Sequence, residues 1–129
     1  MRVLLDTRVL LWWSTSDGAN LSSTAREVIE SGGTEALVSV VSAFEMAAKA
    51  SSGRLDLPDR PERYIPLLLH RHGFDVLDLG LAHALRAGSL PPIHRDPFDR
   101  LLVAQAQVEG VPIVTADPAI ARYDVETIW

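Results

Sequence analysis

Four acidic residues stand where a fold would gather them. Asp6 closes the apolar run Val3-Leu4-Leu5, Glu45 lies near the start of an apolar helical stretch, Asp99 opens another, and Asp117 follows the apolar run 111–115 by two residues. Carboxylates brought together repel one another. Without a counter-charge some take up protons or the cluster loosens. A hard divalent cation is the natural counter-charge, and oxygen ligands favour Mg²⁺ or Mn²⁺ over zinc. Such ions serve phosphoryl chemistry: they polarise a phosphate, generate hydroxide from water and steady the leaving oxygen.

Each acid also has a plainer reading. Asp6 is placed to stop a strand and cap the helix after it. Glu45 completes Ser42-x-x-Glu45, a capping-box pattern, and stands four residues before Lys49 in a stabilising helical pair. Asp96-Pro97-Phe98-Asp99 is a helix start, where acids offset the dipole. Asp117 before Pro118 suits a turn. The constellation is more specific than any member. The histidines carry less. His70 and His72 end a helix, His83 lies within a short one, and His94 sits in the loop before Asp96. None is spaced from another as metal ligands are, so they read as structural or peripheral. No glycine-rich phosphate loop is present, which leaves nucleoside triphosphate chemistry without support.

The elements that must position the acids are strands alternating with helices. Strands are expected at residues 2–6, 36–40, 74–79, 111–115 and 125–128. Helices are expected at 9–13, from a Ser22 or Ser23 cap to Gly32-Gly33, from Ser42 to Ala50, from Pro61 to His72-Gly73, over 81–87, and from Asp96-Pro97 to Gly110, with a helical turn near 119–121. Residues 17–20 read as a turn and 53–59 as a connector. This alternation predicts a mainly parallel sheet covered on both faces, a three-layer α/β/α sandwich. In such open sheets ligands bind beyond the carboxyl ends of the strands. All four acids fall at that edge.

A length of 129 residues suits one domain spanning 1–129, and 47% hydrophobic residues allow a real core. The chain has no cysteine. That excludes disulfides, thiolate nucleophiles and cysteine-based zinc sites, and it fits a reducing compartment. No apolar run is long enough to span a membrane, and Asp6 follows the start too soon for a signal peptide; a cytoplasmic location is expected. The formal charge of −5 argues against passive coating of nucleic acid, though not against a nuclease that holds its substrate through metal. Eleven of the twelve basic residues are arginine, which suits bidentate phosphate contacts but equally follows from compositional bias.

Four blocks together resemble a known family. They are Leu4-Leu5-Asp6-Thr7 with Val9-Leu10-Leu11-Trp12-Trp13, then Ser42-Ala43-Phe44-Glu45-Met46-Ala47-Ala48-Lys49, then residues 94–106 (HRDPFDRLLVAQA), then Val114-Thr115-Ala116-Asp117. In order and over essentially the whole chain they look like a PIN-domain protein, nearest to the VapC-type toxins of bacterial type II toxin–antitoxin pairs. The resemblance implies a Mg²⁺- or Mn²⁺-dependent endoribonuclease, held inactive by an antitoxin, forming a homodimer. It carries the catalytic and metal-binding roles onto Asp6, Glu45, Asp99 and Asp117, with Thr7, Arg8, Asp96 and Thr115 as accessory positions. Arg8 departs from the pattern, since many relatives have a histidine or asparagine-like residue there. A cation two residues after Asp6 would either help hold phosphate or compete with metal. Two other classes remain: an aspartyl-phosphate or receiver-like domain, which lacks support because no lysine follows a late strand, and a catalytically silent protein-binding domain.

Overall fold

The computed structural model describes residues 1–16 and 18–129. Five strands form one parallel sheet: β1 (Arg2–Leu5), β2 (Glu35–Ser39), β3 (Asp75–Leu77), β4 (Ile113–Val114) and β5 (Thr127–Ile128), in the order β3-β2-β1-β4-β5. Every pairing is parallel, as expected from strands separated by helices. This order differs from the 2-1-3-4-5 order of receiver-like domains. From β1 the chain winds outward through β2 and β3, then returns to add β4 and β5 on the other side. The winding therefore reverses between β1 and β4.

Among the described residues six α-helices cover the sheet: α1 (Thr7–Ser16), α2 (Ser23–Glu30), α3 (Val40–Ser51), α4 (Pro61–His72), α5 (Leu81–Ser89) and α6 (Pro97–Glu109). The core is two clusters, one on each face. Val3 and Leu5 of β1 enter the cluster with Val9, Leu10, Ile29, Met46, Ile65 and Leu68, while Leu4 enters the other with Leu102, Val103, Ile113 and Ile120. That alternation is the period-two pleat of a strand buried on both sides. The expected three layers are present.

Boundaries shift at several places, each for a local reason. Ser22 caps α2 as expected, its side chain accepting from the Ala25 N–H at 3.1 Å. Gly73 and Gly110 close α4 and α6 in the left-handed conformation, at φ 67° and 68°. Residues 74–79 and 111–115 were expected as strands, but only Asp75–Leu77 and Ile113–Val114 pair. The expected strand 36–40 and the helix from Ser42 need correction. Strand β2 ends at Ser39, α3 begins at Val40, and the cap is Ser39, not Ser42. Ser39 Oγ accepts the Val41 N–H at 3.0 Å and donates to Gln105 Oε1 at 2.6 Å. A fully buried partner on α6 thus decides where α3 starts. Glu45 accordingly lies in the second turn, and no capping box forms with Ser42. The turn expected at 17–20 includes Asp17, which lies outside the described residues; Gly18 takes φ 78°.

Candidate active site

Asp6 leaves the end of β1 directly into α1 and is 7% exposed. Its Oδ2 accepts the Thr115 Oγ1–H at 2.7 Å, and Thr115 is buried at the end of β4. The same hydroxyl oxygen accepts the Asp117 N–H at 3.0 Å. One threonine therefore ties the acid after β1 to the acid after β4, across the point where the sheet reverses. Asp117 Oδ1 accepts the Ala119 N–H at 2.8 Å, which leaves Oδ2 to turn inward.

On α6, Asp96 caps the helix by accepting the Phe98 N–H at 2.9 Å, and Pro97 takes the first position. Asp99, two residues on, stands above the buried stripe of Val103 and Ala106. On α3, Glu45 pairs through Oε2 with Lys49 Nζ at 2.8 Å, as the four-residue spacing predicts. Its other oxygen, Oε1, is buried without a hydrogen-bond partner among the described residues.

Asp6, Glu45, Asp99 and Asp117 line one cavity of about 500 Å³, together with Thr7, Arg8 and Asp96. Thr115 lies beneath it, and Thr7 Oγ1 bonds Ser42 Oγ at 2.7 Å, pinning α1 to α3. Every acid and accessory position expected from sequence reaches this cavity or its supports.

One residue read as peripheral does not stay there. His94 Nε2 lies 2.9 Å from Asp99 Oδ2 and 3.0 Å from Asp117 Oδ2. Its Nδ1 accepts the Asp96 backbone N–H at 3.1 Å. A backbone N–H only donates, so Nδ1 is unprotonated and Nε2 carries the hydrogen shared between the two carboxylates. His94, Asp99 and Asp117 each offer a ligand atom within 4.8 Å of the others. The sequence signal was present but weak, a histidine two residues before a helix cap. Spacing between histidines could not find it, because its partners are aspartates from two other segments. His83, by contrast, is structural: its Nδ1 accepts the Gly80 N–H and its Nε2 meets Glu109.

The electrostatics are those of an under-compensated acidic cluster. Burial pushes the Asp99 carboxyl up to about 7, and the negative charges of Asp6, Asp96 and Glu45 push the same way, against the pull of His94. Asp6 is raised too, chiefly by burial, with hydrogen bonds from Thr115 and the Arg8 backbone opposing. A buried, unpartnered carboxylate oxygen on Glu45 and two acids with raised pKa values fit a hard divalent cation, which would accept oxygen lone pairs and relieve the repulsion.

The sequence matches the family model for the PIN domain over residues 3–126. Solved structures share the fold at low identity. A chain of VapBC2 from Rickettsia felis, bound to a DNA fragment from its promoter, matches at TM-score 0.75 and 13% identity, covering 98% of this chain and 97% of that one. A chain of DNA-bound VapBC from Salmonella typhimurium matches at TM-score 0.69 and 17% identity, over 98% and 96%. A chain of VapBC-1 from nontypeable Haemophilus influenzae matches at TM-score 0.65 and 16% identity, over the same shares. A search of curated proteins gave no match.

Proposed function

The chain belongs to the PIN domain family, and from that premise we propose that it is a divalent-metal-dependent endoribonuclease, the VapC-like toxin of a toxin–antitoxin pair, with residues 1–129 acting as one catalytic unit. The observation that carries this reading is the convergence of Asp6, Glu45, Asp99 and Asp117 on one cavity, with Glu45 Oε1 buried and unpartnered. In this proposal those four acids hold Mg²⁺ or Mn²⁺. The cation supplies Lewis acidity toward a bridging phosphate and makes water a better nucleophile at neutral pH.

The chain's own residues do the rest. Thr115 fixes the rotamer of Asp6 and the backbone of Asp117 through one hydroxyl. His94 holds the Oδ2 atoms of Asp99 and Asp117 toward a common point. Lys49 orients Glu45. Arg8 lines the cavity and is exposed, so its guanidinium can reach a phosphate next to the one being cut, although its charge also draws on Asp6.

An antitoxin partner is supported by the VapBC chains that share the fold. A homodimer is part of the same proposal. In the runs 9–13 and 65–69, Val9, Leu10, Ile65 and Leu68 are consumed by the core. Leu67 of the second run stays 57% exposed, and further exposed apolar side chains lie at Phe44, Val76, Leu79, Leu81 and Leu85; these five are the proposed dimer face. A cytoplasmic location remains a proposal; among the described residues no helix is long and apolar enough to cross a membrane.

The test is cleavage of RNA by the purified protein with Mg²⁺ or Mn²⁺. Cleavage that EDTA stops and that Asp6→Asn abolishes, with the variant still folded by circular dichroism, is the expected result. Wild-type rates in Asp6→Asn would remove the metal-site assignment. Absence of any metal-dependent cleavage would favour the silent protein-binding reading.

A further inference from the structure

The cavity has two unlike sides. One is the carboxylate cluster. The other comes from α1, where Arg8 and Trp12 stand four residues apart on one helical face and both line the cavity. The Trp12 ring packs on Trp129, with centroids 5.9 Å apart at 48°. Trp129 is 40% exposed.

Neighbouring tryptophans differ in use. Trp13 packs against the core and meets Phe74 at 6.4 Å. Trp12 and Trp129 belong to neither core cluster. Trp12 lines the charged cavity and Trp129 packs on it, and each leaves apolar surface in water that the core does not use.

The chemistry of the site says what such a surface would meet. A phosphodiester positioned over the carboxylates brings its flanking nucleosides with it. An unpaired base has an open π-face that stacks on an aromatic ring, whereas a paired base hides its faces within the duplex. Backbone attraction alone is weak here, since the chain carries −5 overall and Lys49 is already tied to Glu45. The exposed Arg8 side chain lines the cavity, and its positive charge already draws on Asp6. Stacking would supply affinity that charge does not.

We propose that Trp12 and Trp129 form a stacking platform for an unpaired nucleobase flanking the bond that is cut, with Arg8 on a neighbouring phosphate. This rests on the nuclease reading given above.

The experiment measures fluorescence anisotropy of a labelled short single-stranded RNA, of an abasic strand of equal length, and of the RNA annealed to its complement. It uses the Asp6→Asn variant of this chain in millimolar Mg²⁺. The base-bearing single strand should bind about tenfold more tightly than the abasic strand, and more tightly than the duplex. Trp12→Ala and Trp129→Ala should each remove most of that preference, and Trp12→Phe should retain it. Arg8→Ala should weaken both single strands by the same factor. Thermal melting separates loss of fold from loss of binding, and Trp129→Ala guards against a misfolded Trp12→Ala.

Equal affinity for base-bearing and abasic strands overturns the platform, as does an unchanged preference in folded Trp variants. If those variants keep the preference but lose a co-purifying protein, the indoles are a protein contact and the proposal is again overturned. Wild-type cleavage that chelator stops, with no Trp-dependent preference, sinks the platform and leaves the nuclease reading standing. A Trp-dependent preference without any wild-type cleavage does the reverse.

Discussion

Asp96 and Asp99 look alike in sequence, three residues apart at one helix start, yet their surroundings divide their roles. Asp96 spends Oδ1 on the Phe98 N–H. Asp99 offers Oδ2 to the shared hydrogen of His94 and faces the other acids. Asp96→Asn should therefore keep activity within about twofold, because Asn caps nearly as well as Asp. Asp99→Asn should lose at least about a hundredfold, since even groups behind a metal ligand are worth about 10–100-fold. RNA cleavage by the two purified variants decides; a dead Asp96→Asn beside an active Asp99→Asn would reverse the assignment. The raised Asp99 carboxyl also fixes a pH dependence. Between its ordinary value of 3.8 and about 7 the folded protein binds more protons than the unfolded chain. Stability from this group is thus fully present below about pH 4 and is lost as pH rises through about 7. The metal-free protein should melt lower at about pH 8 than at about pH 5. Asp99→Asn should flatten that slope and stabilise the metal-free protein at the higher pH by on the order of 2 kcal/mol, discounted for partial exposure. Melting curves in EDTA across this range check both statements, and a wild-type curve that rises with pH would contradict them.

At the scale of elements, the segment carrying His94 has no regular structure of its own, and one arginine organises it. Arg100 on α6 donates to the carbonyls of Ala87, Leu90 and Pro91 at 2.9–3.1 Å. Those groups are the end of α5 and the turn after it, where helix carbonyls lack partners. Arg100 also reaches the Tyr123 hydroxyl at 3.4 Å, and that oxygen accepts the His94 backbone N–H at 2.8 Å. The chain of contacts runs from α6 to α5 to the loop, and so to the hydrogen that joins Asp99 to Asp117. Arg100→Lys keeps the charge but cannot fork to three carbonyls. It should cost about 2 kcal/mol of stability and weaken Mn²⁺ binding in calorimetry. Tyr123→Phe should cost about 1 kcal/mol by leaving the His94 N–H unpaired. Unchanged melting temperature and Mn²⁺ affinity in both variants would show that the loop is held by packing alone.

For the whole molecule, two couplings are expected. A cation that binds only the folded site stabilises by mass action, so millimolar Mg²⁺ or Mn²⁺ should raise the melting temperature over that in EDTA, and the shift should vanish in Asp99→Asn. No shift in the wild type would count against the site. The exposed apolar face predicts self-association. Leu81, on α5, is 75% exposed, so Leu81→Glu should leave the protomer's fold unchanged while placing a charge in the dimer contact. Light scattering should report a dimer for the wild type and a monomer for this variant. A monomeric wild type at high concentration removes the dimer.

What was legible in the sequence is what depends on local pattern. Apolar runs such as Val3-Leu4-Leu5 mark strands buried on both faces, Asp96-Pro97 and Gly110 bound a helix, and the alternation of strands with helices compels a parallel sheet whose carboxyl edge collects the acids. The four carboxylates were visible because each follows a strand or lies within the first two turns of a helix at that edge. What tertiary structure alone decided depends on partners far along the chain. Ser39 rather than Ser42 starts α3 because Gln105, 66 residues away, binds its hydroxyl. Thr115 supports Asp6 from 109 residues away. His94 joins the acids because Asp99 and Asp117 reach it from α6 and from the turn after β4. Trp12 and Trp13 are identical in type and adjacent, and only packing sends one to the core and the other to the cavity mouth. Local propensity can choose a helix or a strand, but a side chain's partner is set by which segments the sheet order brings side by side.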